Sequence, residues 1–187
     1  MGATPILGLP FNDETDLVMD GSQATEDLAG AVEDALTWVV SKPVGESVTS
    51  SIAYQNDDNL FFTVVAGAVY IVDFELLWES AVAASGFKAR WSLPAGCNVY
   101  GHSISKQGGG SGVNLVPVVG DYVGEYIIGN GQDGAGIGLD HMFTVGRHKL
   151  VVGGTGGTAR IQWAQVTSNA TATWLNVGSF LRIRRIA

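Results

Sequence analysis

Apolar and polar residues alternate strictly along much of the chain after residue 46. The clearest case is the stretch 70–78, where an aromatic or aliphatic residue stands at every second position, and the stretch 87–93 repeats this pattern. A period of two is typical of a strand with one buried face. Gly-, Pro- and Asn/Asp-rich turns, among them Asn56–Asn59, separate eight to twelve such segments, and no ten-residue helical pattern interrupts them. We therefore predict a mainly β fold, a jelly-roll-like antiparallel β-sandwich, and exclude an α/β fold because crossover helices are missing.

A helical period precedes the β region. Ser22 is a suitable N-cap, and Glu26 and Asp27 lie near the positive end of the helix dipole. This pattern predicts one short α-helix from about Ser22 to Trp38. The helix packs on its own domain or forms a short bundle at an oligomer axis. Its predicted packing or trimer face, at i, i+3 and i+4 spacing, comprises Leu28, Val32, Ala35, Leu36 and Val39.

An extended arm is predicted before the helix, over residues 3–20. Pro5 and Pro10 each fix φ and remove a backbone donor, which favours an irregular, extended segment. The arm is nevertheless too apolar to remain in water, so we expect the protein body, a symmetry mate or a partner to cover it. Its predicted attachment residues are Leu7, Leu9, Phe11, Asp13, Glu14, Asp16 and Leu17.

Charge divides the chain in two. Residues 1–40 contain eight acids and no Lys or Arg, whereas the remaining chain contains ten acids and ten bases. We place the acidic arm and helix at 1–43 and the β-sandwich body at 44–187. A neutral body with an acidic arm disfavours nucleic-acid binding. The longest apolar run, 64–72, has nine residues, about half of what a membrane span needs, so membrane insertion is excluded.

Motifs that suggest chemistry do not assemble into a site. The stretch Gly154–Ala159 fits a dinucleotide fingerprint, but a strand pattern follows it where the fingerprint requires a helix; we interpret it as a glycine-rich hairpin loop. The three histidines, His102, His141 and His148, have no metal-ligand spacing, and the single Cys97 excludes a Cys-based zinc site. We predict no catalytic residue, no cofactor and no metal site.

Two parts of the sequence carry a family resemblance. The stretches Thr4–Pro10, Glu14–Val18 and Leu28–Glu33 resemble the N-terminal leader of tail-fibre and related virion proteins of tailed bacteriophages. A second resemblance is to a β-rich module in minor tail, fibre and capsid-surface proteins of phages that infect actinobacteria, and it is carried by the stretches 46–51, 55–62, 161–165, 168–173 and 178–182. The resemblance implies a non-enzymatic virion component, commonly a trimer.

Composition agrees with an assembly protein. Hydrophobic residues make up 46% of the chain and charged residues only 15%, which indicates apolar surface for obligate interfaces. We predict a homotrimeric capsid decoration protein, assembled in the host cytoplasm, whose arm binds the major capsid protein at the virion surface. The alternative is a short tail fibre or tail-tip receptor-binding protein, in contact with tail proteins, that recognises a host-surface glycan. A hydrolase on the same scaffold is disfavoured because no acid/base pair stands out.

Overall fold

The computed structural model describes residues 2–3, 10–11, 25, 27–28, 37–80, 82, 85–106, 113–118, 126–131 and 142–187. The chain divides into two compact units, Met1–Trp38 and Val39–Ala187. In the first unit, strand β1 (Gly2–Ala3) pairs antiparallel with β2 (Pro10–Phe11), and Thr25, Asp27 and Leu28 are helical. None of the helical residues in the described part of the chain forms a helix that could cross a membrane.

The second unit is built from antiparallel strands. In the large sheet the order is β3-β14-β6-β11-β8-β9, and β13 pairs with both β4 and the end of β6. The small sheet has the order β10-β7-β12-β5. The bounds are β3 Thr37–Ser41, β4 Glu46–Val48, β5 Gln55–Val64, β6 Val69–Ser80, β7 Phe87–Ser92, β8 Asn98–Lys106, β9 Val113–Val118, β10 Tyr126–Gly131, β11 Met142–Val151, β12 Gly157–Ala164, β13 Thr173–Leu175 and β14 Phe180–Arg185.

Aromatic rings from the two sheets meet in one core. The ring of Trp78 on β6 stacks on Phe87 of β7, with centroids 5.2 Å apart. Phe74 meets Trp91 edge to face at 6.4 Å, an arrangement that aromatic quadrupoles favour. The alternation along β6 is complete: each inward side chain from Tyr70 to Ser80 is buried and each outward one is half-buried. The prediction of a mainly β, two-sheet antiparallel sandwich is confirmed.

The predicted helix does not extend to Trp38, and this part of the prediction is wrong. Thr37–Ser41 forms strand β3, with Trp38 and Val40 half-buried and Val39 exposed. Val39 therefore lies on a strand and not on a helix face. The Trp-Val-Val run satisfies either period, but its aromatic and β-branched residues favour a strand once the edge of β14 is available for pairing.

The predicted turn at Asn56–Asn59 is instead built into strand β5 as a bulge. Asn56 pairs with Gln162 and Phe61 pairs with Arg160, so β5 has more residues than β12 between the same two pairings. Asp57 stabilises the bulge locally, because its Oδ1 accepts hydrogen bonds from the backbone N–H groups of Asn59 and Leu60. Its Oδ2 accepts a 2.7 Å hydrogen bond from Lys42 Nζ, and both side chains are fully buried.

Candidate functional site

Most of the predicted attachment and helix-face residues lie outside the described residues: Leu7, Leu9, Asp13, Glu14, Asp16, Leu17, Val32, Ala35 and Leu36. Phe11 belongs to β2, and Leu28 is helical and 38% exposed. Attachment through the arm therefore stays a prediction.

The histidines divide between core and surface. His148 is buried on β11 and accepts a 2.9 Å hydrogen bond at Nδ1 from Trp91 Nε1. Burial, followed by repulsion from His102, lowers the pKa of His148 to about 4. His102 is exposed on the outer face of β8, and His141 lies outside the described residues. Within the described ranges, no three His, Cys, Asp or Glu side chains are grouped to hold a metal ion.

The Gly-rich stretch before Ala159 is a connection between the sheets, so the prediction of a hairpin loop is wrong. Strand β11 pairs with β6 and β8 in the large sheet, whereas β12 pairs with β5 and β7 in the small sheet. A hairpin loop would join two neighbouring strands of one sheet. The absence of a helix after the glycines agrees with the rejection of a dinucleotide site, because β12 follows directly.

The outer face of the small sheet carries a polar cluster built by strand alternation. On β7 the odd-numbered side chains enter the core, which turns Lys88, Arg90 and Ser92 outward. On β12 the same alternation turns Arg160 and Gln162 outward. Pairing then places Arg160 directly opposite Ser92, and Gln162 opposite Arg90.

Hydrogen bonds link part of this cluster across three strands. Arg90 Nε donates to Gln162 Oε1 at 2.8 Å, and Gln162 Nε2 donates to Asn56 Oδ1 at 2.8 Å. The chain of bonds fixes the orientation of the Asn56 amide. Its Nδ2 group is left without a partner among the described residues.

Aromatic rings support the cationic side chains of this face. The Arg160 guanidinium lies over the ring of Phe61, with Cζ 4.6 Å from the centroid. Arg90 and Lys88 lie over the ring of Tyr54, at 4.1 and 4.5 Å. Cation–π contacts at these distances are attractive and hold the cationic groups in place.

A depression of about 250 Å³ opens beside Arg160, lined by Asn56, Ser92, Thr158 and Arg160. Arg160 has no hydrogen-bond or ion-pair partner among the described residues, and its Nε atom is shielded from solvent. The lining combines a planar cation, two hydroxyls and an amide. We call these four residues the Arg160 depression.

The outer face of the large sheet has a second depression, of about 320 Å³, whose charged residues neutralise one another. Register places Arg147 opposite Asp73 on one side and His102 on the other. Arg147 donates to both carboxylate oxygens of Asp73, with Nη2 3.1 Å from Oδ2, and this bonding raises the pKa of Arg147 further. Arg182 lies opposite Asp73 on β14. The ion pair is exposed and contributes little to stability.

Apolar side chains are exposed further along the same outer face. Trp174 on β13 is 41% exposed, and it lies opposite Glu79 on β6. Leu77, two residues before Glu79, pairs with Phe143, which is 36% exposed. The turn that follows β13 carries Val177, 59% exposed, and its Asn176 N–H donates to Leu77 O. We call Leu77, Phe143, Trp174 and Val177 the apolar patch.

Sequence reasoning identified neither the Arg160 depression nor the apolar patch, although the alternation that predicted β7 also indicated which of its residues point outward. Which side chains become neighbours depends on pairings between distant strands. Gln162 and Asn56, for example, are 106 positions apart in the sequence.

Comparisons with known proteins give distant structural likenesses. No protein-family model and no curated protein matches the chain. The chain is similar to the tripod from the baseplate of bacteriophage Tuc2009, with a TM-score of 0.34 and 9% identity over 95% of this chain and 98% of that one. It is also similar to chains of infectious bursal disease virus. The Gt strain gives a TM-score of 0.23 and 10% identity, and the Gx strain 0.22 and 11%. Each match covers 80% of this chain, together with 42% of the Gt-strain chain and 41% of the Gx-strain chain. TM-scores this low carry no functional conclusion.

Proposed function

We propose that the chain is a non-enzymatic structural protein of a phage virion. In this proposal it is a homotrimeric decoration protein of the head surface. The observation that carries the proposal is the apolar patch. Phe143 is exposed opposite Leu77, Trp174 is exposed opposite Glu79 on the other side of β6, and Val177 is exposed in the turn that follows β13. Apolar surface that gathers in one region in this way is typical of subunit interfaces.

The polar side chains of the body support a structural role. Lys42 is bound to Asp57 and Glu46, and Arg147 is bound to Asp73. His148 is held in the core by Trp91. These side chains pair with one another and hold strands together. Polar side chains that serve to hold strands together favour a role in assembly over a role in catalysis.

Attachment is proposed to run through the N-terminal arm. The arm carries eight acids without a base, together with Leu7, Leu9, Phe11 and Leu17. Such a segment would fit a groove with an apolar floor and a basic rim, which we propose on the major capsid protein. Each apolar side chain that becomes fully buried would contribute about 1.5–3 kcal/mol, and three arms per trimer would raise the effective concentration.

A second candidate is a short tail fibre or tail-tip receptor-binding protein that recognises a host glycan. The Arg160 depression favours this candidate, because it offers a cation, hydroxyls and an amide on an outer sheet face. Hydroxyl-rich ligands need donors and acceptors of this kind.

Imaging of labelled particles tests the two candidates directly. An epitope tag on the C-terminus, detected by gold-labelled antibody in negative stain, should decorate heads if the decoration proposal is correct. Label confined to the tail tip would favour the receptor-binding candidate instead. Particles without any label would contradict a virion role.

Occupancy on particles that lack the native protein tests the arm. We expect Phe11→Ala combined with Leu17→Ala to abolish binding while the trimer stays folded. Replacing Asp13, Glu14 and Asp16 with Asn or Gln should weaken binding and flatten its salt dependence. Unchanged occupancy after both sets of changes would mean that attachment runs through the β body.

A further inference from the structure

We propose that the Arg160 depression binds the anionic group, carboxylate or phosphate, of a hydroxyl-rich ligand such as an acidic saccharide. The lining residues, Asn56, Ser92, Thr158 and Arg160, include one cation and no acid. The volume of about 250 Å³ lies just below the range of drug-sized pockets, about 300–1,000 Å³. The depression therefore suits a single charged ring or its substituent. This inference rests on the second candidate function, because it gives the chemical class of the ligand that the same depression would take.

Arg160 is the anchor because its guanidinium is held in place but unsatisfied. The ring of Phe61 supports one face of the group. The described residues provide no acceptor for its N–H groups. Arg147 differs, since Asp73 already occupies its donors. A guanidinium presents a planar fork of donors that matches a carboxylate or a phosphate with two parallel hydrogen bonds.

The other lining groups provide the hydrogen bonds that a hydroxylated ligand requires. Ser92 and Thr158 have hydroxyl groups without partners among the described residues. Each hydroxyl can donate and accept. The Asn56 amide is oriented by Gln162, which occupies its oxygen and leaves its Nδ2 as a donor. Donors thus predominate around Arg160, as recognition of an anion requires.

The surroundings of the depression add favourable charge. Lys88 and Arg90 stand on the neighbouring strand, over the ring of Tyr54. Of the two acids on β5, Asp57 is buried and paired with Lys42, which leaves Asp58 exposed. On the described strands of the small sheet, three cations therefore accompany one unpaired acid. Binding should weaken as salt increases, because exposed charges are screened beyond about 8–10 Å at physiological ionic strength.

Isothermal titration calorimetry of the full chain tests the site with three probes: hexagalacturonic acid, a short poly(glycerol phosphate) and neutral maltohexaose. We expect at least one acidic probe to bind about tenfold or more tightly than maltohexaose, because charge-assisted hydrogen bonds exceed neutral ones in strength. Binding of the galacturonate alone identifies a carboxylate ligand, and binding of the glycerol phosphate alone identifies a phosphate ligand. Failure of both acidic probes, or equal affinity for maltohexaose, would overturn the proposal.

Variants separate the site from general charge. Arg160→Gln should weaken acidic-probe binding about tenfold or more, and Arg160→Lys should recover only part of it, since an ammonium lacks the fork. Arg184→Gln, on the outer face of the large sheet, is the matched control and should bind as the parent does. Equal losses in Arg160→Gln and Arg184→Gln would show only a general charge effect and would overturn the site.

A shape-preserving variant guards against misfolding as an explanation. Asn56→Asp retains the oxygen that accepts from Gln162 but adds a negative charge beside Arg160. We expect it to abolish acidic-probe binding while the midpoint of thermal unfolding stays close to that of the parent. Undiminished binding in this variant would contradict an anion site.

Discussion

The Nε1–H of Trp91 donates a 2.9 Å hydrogen bond to Nδ1 of His148, joining β7 of the small sheet to β11 of the large one. An imidazole that accepts at Nδ1 is neutral, with its proton on Nε2. Protonation would turn this acceptor into a second donor facing the indole N–H. The bond therefore requires neutral His148. Burial of the ring, followed by repulsion from His102, lowers the pKa of His148 to about 4, which favours the same neutral form.

Stability should therefore decrease as the pH falls below about 6.5. The ordinary pKa of His148 is 6.5 and its pKa in the folded chain is about 4. Between these two pH values the unfolded chain binds one proton that the folded chain does not, which lowers the free energy of unfolding by up to about 3 kcal/mol in total. Above pH 6.5 the stabilisation is fully present. Urea unfolding from pH 7.5 to 5 should show this slope. His148→Asn should flatten the slope and His102→Asn should retain it; an unchanged slope in His148→Asn would refute the assignment.

The buried pair of Lys42 and Asp57 should be essential to the body. We expect Lys42→Met to lower the free energy of unfolding by about 3–5 kcal/mol, because it leaves a buried carboxylate unpaired. Asp57→Asn added to this variant should recover part of the loss, since its Oδ1 can still accept from Asn59 and Leu60. The control Lys149→Met, at an exposed position, should change stability by less than about 0.5 kcal/mol. Equal effects of the two lysine variants would argue against the pair.

The same lysine sets the limit for removing the arm. A chain that lacks residues 1–36 retains β3 and Lys42 and should unfold cooperatively, as measured by circular dichroism. A chain that lacks residues 1–44 loses both, and we expect it to be at least as destabilised as Lys42→Met. Aggregation of the shorter deletion would mean that the first unit belongs to the core of the body.

Gly146 is required by space and not by backbone conformation. A Cβ at this position would lie 2.4 Å from Phe74 Cζ and 2.7 Å from the carbonyl oxygen of His102. The Phe74 ring cannot move freely, because the ring centroids of His148 and Trp91 lie 5.0 Å and 6.4 Å from its own centroid. Gly146→Ala should destabilise the body by about 1–3 kcal/mol through overpacking. Gly154→Ala, with nothing within 4 Å of the added carbon, is the matched control and should have little effect; equal melting midpoints would contradict this view.

Sequence alternation predicted the strands and their faces well, because burial of one face imposes a period of two wherever a sandwich forms. The alternation of β6 and β7 was visible in the sequence and holds in the structure. Two errors have one physical cause. Asp57 was interpreted as part of a turn, and Trp38 as the end of a helix. In each case a partner distant in sequence, Lys42 or β14, decided the outcome. Local pattern contains no information on such partners.

The Arg160 depression and the apolar patch could not be predicted from the sequence for the same reason. Arg160 and Phe61 are brought together by pairing of β12 with β5, and Phe143 and Leu77 by pairing of β11 with β6. The sequence indicated excess apolar surface from composition alone. It could not indicate which outward residues would be neighbours.

The apolar patch should be the self-association surface. Light scattering coupled to size exclusion should give the parent chain a mass near three times 19.6 kDa. Phe143→Ser combined with Trp174→Ser removes two large side chains that could each contribute about 1.5–3 kcal/mol when buried. We expect this variant to elute as a folded monomer. The control Val65→Ser changes an exposed Val beyond the opposite end of β6 and should remain trimeric. A monomeric parent would contradict the trimer. A trimeric double variant would instead locate the interface elsewhere on the chain, because both aromatic side chains of the patch would have been removed without effect.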